Sequence, residues 1–137
     1  MNRSARWLVV AGLGLLGCQA PPERLAVQPL AEEGQPAPFS DLLLRARGQA
    51  LNATDASYVD NWVAVEDSAR SLQQTARLLQ GAGDIPADRK VSIDALAVSL
   101  TRQAEGLREA AKARDAQRVN SILANIHYQV RSLRPGP

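Results

Sequence analysis

From Phe39 to Arg134 apolar residues recur every three or four positions, a spacing that predicts helices. Ser40 or Asp41 can cap a first helix carrying Leu42, Leu43, Ala46 and Ala50, which fades near Asn52 to Asp55. A second runs from about Ala56 to Gln80 with Trp62, Val65, Ala69, Leu72, Ala76 and Leu79 on one stripe, and Gly81-Ala82-Gly83 ends it. A third follows Pro86 and carries Ile93, Leu96, Leu100, Ala104, Leu107 and Ala111. Asp115 can cap a fourth, with Val119, Ile122, Leu123, Ile126, Val130 and Leu133 on its face, stopped by Pro135 and Gly136. No segment alternates strictly, so the expected class is all-α, an antiparallel up-down four-helix bundle over residues 39–134 with a short tail at 135–137. The weak boundary is Asn52-Ala53-Thr54-Asp55. Read as a loop it separates helices one and two; read as a kink it leaves three helices with a bent first member.

Ahead of the bundle the pattern changes twice. Arg3 and Arg6 precede an apolar run, Trp7 to Leu16, and Gly17-Cys18 follows it. At ~1.5 Å per residue, ten helical residues cover about half a bilayer core, so this run is an export signal and not a spanning helix. Leu15-Leu16-Gly17-Cys18 resembles the lipobox of bacterial lipoproteins, with Leu16 the less usual choice at its position. That resemblance implies cleavage between Gly17 and Cys18 and a lipid, palmitate among its acyl chains, on Cys18. Cys18 is the only cysteine of the chain, so no intramolecular disulfide is available. Residues 1–17 are then the signal and 18–38 a lipidated, proline-rich tether, with Pro21, Pro22, Pro29, Pro36 and Pro38 in it. A leader with no spacing role would have the same composition. The expected location is the cell envelope, facing the periplasm and held to a membrane by the lipid. Gln19 after the cysteine resembles outer-membrane sorting.

Charge excludes one class of partner. The chain has 16 Lys and Arg, which falls to 14 without Arg3 and Arg6, against 14 Asp and Glu. The cleaved chain's side chains therefore balance, and with no basic cluster interleaved with aromatics there is no nucleic-acid footprint. Metal and catalytic chemistry find little material. His127 is the one histidine, so neither a Glu-x-x-His pair nor a zinc ligand set can be assembled. No serine sits in a nucleophile elbow, and Gly81-Ala82-Gly83 lacks the strand and the Lys-Ser/Thr of a phosphate loop. Glu66, Asp67 and Asp94 are carboxylates among polar neighbours, which fits a solvated helix face. The expectation is a protein that is not an enzyme.

Residues Ala110 to Pro135, AAKARDAQRVNSILANIHYQVRSLRP, carry a further resemblance. An alanine-rich helix end, an Asp-capped turn and a last helix with His and, four residues on, Arg are similar to the C-terminal half of cytochrome c-prime. In that family C-x-x-C-H on the last helix bonds haem through two thioethers and ligates its iron. The resemblance places the iron ligand at His127 and a basic residue beside a haem propionate at Arg131. It places the cysteines at Leu123 and Ile126, and the usual aromatic at Val130. Leu123 and Ile126 cannot form thioethers, so covalent haem is excluded. A related bundle cytochrome holds haem without thioethers, between His and Met, but Met1 is the only methionine and leaves with the signal. Taken alone, His127 at the edge of an apolar stripe reads as a packed or hydrogen-bonded structural residue. Two functions follow. One is a haem-free structural or interaction module with no cofactor and an unidentified protein partner, with Tyr58 and Tyr128 as first candidates for its contact surface. The other is a non-covalent haem protein for electron transfer or small-gas binding, with His127 as axial ligand.

Overall fold

A computed structural model describes residues 36–133, and the signal, Cys18 and most of the tether lie outside them. The described residues form a four-helix bundle: α1 (Phe39–Tyr58), α2 (Trp62–Gln80), α3 (Ala87–Lys112) and α4 (Ala116–Ser132), with no strand among them. Packing neighbours are α1 with α2, α2 with α3, α3 with α4 and α4 with α1, while the diagonal pairs do not meet. The expected stripes supply the core. Leu42, Leu43, Val65, Leu72, Leu79, Ile93, Leu100, Leu107, Val119, Ile126 and Leu133 are buried, interleaved with alanines from every helix except α4.

The first helix boundary lies elsewhere than the pattern suggested. α1 runs unbroken through Asn52 to Asp55, and the break comes at Val59-Asp60-Asn61. Packing carries the helix through. Ala53 and Ala56 continue the buried stripe of Ala46 and Ala50, so tertiary packing outweighs weak propensity. Thr54 Oγ1 donates to the Ala50 carbonyl at 2.9 Å and Ser57 Oγ to the Thr54 carbonyl at 2.7 Å, which turns both hydroxyls back onto the helix. At its end, Asp60 takes a left-handed φ of 53°, and the Asn61 and Asp60 N–H groups donate back to the carbonyls of Ala56 and Ser57. This is the Schellman arrangement. α3 ends the same way: Arg114 has φ 53°, and the Asp115 and Arg114 N–H groups donate to Ala110 and Ala111. At both corners the next residue caps the next helix, Asn61 accepting from Ala64 N–H and Asp115 from Arg118 N–H. Asn61→Ala is expected to lower stability by about 1 kcal/mol in a urea melt followed by circular dichroism.

The start of α1 also differs from the expectation. Neither Ser40 nor Asp41 caps it: Pro38 occupies the cap position without a side-chain bond. The Phe39 N–H instead donates to Asp84 Oδ1 at 2.8 Å, so a carboxylate in the α2–α3 loop satisfies it. α3 likewise starts after Pro86, whose fixed φ suits a helix entry.

Candidate functional site

His127 sits on α4 one position after the buried Ile126, half-buried and turned toward α1. Its Nε2 lies 2.9 Å from Thr54 Oγ1, a contact between residues 73 apart in sequence. The single Thr54 hydroxyl proton is directed at the Ala50 carbonyl, which leaves the oxygen free to accept. Nε2 and this oxygen are within hydrogen-bond distance, with the donor set by the ring tautomer. The residues of the C-x-x-C-H register are distributed as core and surface: Leu123, Ile126 and Val130 are buried, and Arg131 is exposed with its Nε 3.4 Å from the His127 carbonyl. Arg131 therefore folds onto its own helix.

The resemblance makes His127 the ligand of a haem iron. An iron bond needs the Nε2 lone pair, and that nitrogen faces the Thr54 hydroxyl. The positions that would flank a porphyrin on the same helix are packed into the aliphatic core. The role the geometry gives His127 is to tie α4 to α1 across their seam. Thr54, which the sequence marks only as a poor helix interior, is its partner.

Of the carboxylates considered as acid–base candidates, Glu66 is half-buried on α2 beside Asp67, and the other two are in ion pairs. Asp67 pairs with Arg70 at 3.0 Å and Asp94 with Lys90 at 2.7 Å, both within one helix and both partly exposed. Lys90 also donates to the Gln80 carbonyl at 2.7 Å, closing the α2–α3 loop against the end of α2. Among the described residues no three His, Cys, Asp or Glu side chains gather as a metal site. At the end of α3, a hydrogen bond from Lys112 and then its charge hold the Glu109 carboxyl below its usual range. That pair is on the surface and contributes little to stability.

Both tyrosines named as contact candidates face solvent: Tyr58 is 81% exposed and Tyr128 73%. Of the other aromatics, Phe39 is buried and Trp62 packs partly against the core. Leu44 and Leu51 are exposed on α1 as well. No helix among the described residues is long and apolar enough to cross a membrane.

Compared with known proteins, the chain matches no family model, no curated protein and no solved structure. The resemblance to cytochrome c-prime accordingly rests on the sequence from Ala110 to Pro135 alone.

Proposed function

We propose that this is an exported lipoprotein held to a membrane through Cys18, whose bundle is a haem-free structural or interaction module. The observation that carries the haem-free part is the engagement of His127 Nε2 with Thr54 beside a filled aliphatic core. The lipid part rests on Leu15-Leu16-Gly17-Cys18 after a ten-residue apolar run. The ring of neighbouring helices, with short α1–α2 and α3–α4 corners, supports an antiparallel up-down path for the chain. The tether would carry the bundle away from the lipid and present its outer faces to a partner.

Haemin titration tests the bundle's part. The wild-type chain and His127→Ala are expected to behave alike, with no saturable one-to-one Soret shift in either. His127→Ala should cost about 1 kcal/mol in a urea melt, the worth of one hydrogen bond, because Thr54 keeps its bond to Ala50. A stoichiometric Soret shift in the wild type that vanishes in His127→Ala would make His127 an iron ligand and replace this reading with the haem protein.

A further inference from the structure

The outward face of α1 bears an apolar line that a surface helix has no internal use for. Leu44 is 65% exposed, Leu51 55% and Tyr58 81%, and the three are spaced by seven residues. Seven residues fall about 20° short of two helical turns, so all three lie along one narrow line opposite the buried alanines. Gly48 sits between the first two, and a Cβ built on it meets nothing within 4 Å. A mid-helix glycine is about 1 kcal/mol poorer than alanine unless a close approach uses the missing side chain, and nothing among the described residues approaches it. Two charges flank the line. Arg47 precedes Leu51 by four residues and Asp55 follows it by four, and neither takes part in an ion pair among the described residues.

We propose that two copies of the chain pair through this face, α1 against α1, antiparallel about a two-fold axis at Leu51. In an antiparallel pair centred there, a position a given number of residues before Leu51 faces the one as far after it in the other copy. Leu44 then meets Tyr58 of the partner subunit, and Leu51 meets Leu51 of the partner subunit. Arg47 comes level with Asp55 of the partner subunit, opposite charges that the symmetry brings together twice, and the open side of Gly48 lets the two backbones approach. Apolar falls on apolar and positive on negative only because the exposed residues are placed evenly about Leu51. A self-complementary patch of this kind is what a two-fold interface requires. The alternative centre at Gly48 would set Asp41 against Asp55 and leave the leucines facing polar positions. One helix per copy is a small contact, so the pair is reversible. This deepens the interaction reading by naming the partner, and its test does not depend on lipid at Cys18.

Disulfide trapping in the full chain, in cells, tests it. The wild-type chain, whose only thiol is that of Cys18, sets the background. Leu51→Cys, on the axis, is expected to give a homodimer on mild oxidation, while Val98→Cys, 48% exposed on α3, stays at background. In the Leu51→Cys chain, Arg47→Asp or Asp55→Arg each sets like charges face to face and should lower the yield about threefold or more. Combining the two reverses both signs and should restore it. Leu51, Asp55 and Val98 are exposed and Arg47 is half-buried, and a circular-dichroism melt of each variant checks that the fold is kept. Trapping at Leu51→Cys no stronger than at Val98→Cys overturns the proposal, as does an adduct with a different protein or a double variant no better than the singles. Trapping through Cys18 in the wild type would count against lipid there and leave the α1 comparison intact.

Discussion

Cys18→Ala is expected to abolish fatty-acid labelling of the protein and to leave residues 1–17 attached. On the proposed reading the Cys18 thiol is the nucleophile that takes the lipid, and the chain holds no second cysteine to substitute for it. The size of the effect follows from the anchor. Each buried methylene contributes about 0.8 kcal/mol, and one chain gives only reversible binding, whereas the two chains of a diacylglyceryl group together hold a protein stably. The described helices offer no replacement, since none is long and apolar enough to span. Growth with an alkyne fatty acid, followed by capture of the tag and a gel of whole cells, reads both consequences. The wild type should be labelled and run as the shorter species; Cys18→Ala should be unlabelled and run longer. Equal label in the two would place the lipid, if any, somewhere other than Cys18.

Leu100→Ala is expected to cost about 3 to 5 kcal/mol, the upper part of the range for such truncations. Leu100 is fully buried in α3, the longest helix, which packs on both α2 and α4. Much of the core is alanine: Ala46, Ala50, Ala69, Ala76, Ala97 and Ala104 are all buried. Alanine has no side-chain rotation with which to fill a neighbour's cavity, so the lost volume persists unless backbones shift. For a domain whose whole stability is of order 5–15 kcal/mol, that is a large fraction. A thermal melt should fall by roughly 12 °C or more, taking about 4 °C as the least shift for each 1 kcal/mol in a domain near 100 residues. Val91→Ala, 80% exposed on the same helix, should change stability by no more than about 0.5 kcal/mol. A Leu100→Ala loss near 1 kcal/mol would mean the core closes around the gap.

The helix stripes were legible because period decides them: nearly every residue assigned to a core face by spacing is buried, Trp62, Leu96 and Ile122 only in part. Helix ends were less so, for a chemical reason. Gly81-Ala82-Gly83 announces a stop through its glycines, but α1 and α3 end on Asp60 and Arg114, side chains seldom found at positive φ. Asp115 was readable as a cap; its counterpart Asn61 has the same geometry and was hidden inside a supposed helix. The Asp60-Asn61 pair, both residues that tolerate turns, was the available signal. Asn52 to Asp55 reads as a loop or a kink because propensity is local, whereas the burial of Ala53 depends on the packed state. The His127 contact with Thr54 joins residues 73 apart, and no spacing within one helix reveals such a pair. The outward line on α1 was visible only as a surplus: Leu44 and Leu51 belonged to no stripe, and exposure had to be seen before their even placement about Leu51 acquired a meaning.

On the proposed function, Cys18 is the lipid-bearing first residue of the working protein. Mass spectrometry of the N-terminal peptide from protein purified out of membranes tests it most directly. The expected peptide begins at Cys18 and carries the added mass of a diacylglyceryl group. A peptide in which Gly17 is still joined to an unmodified Cys18, or one that begins elsewhere with a free thiol, would contradict it.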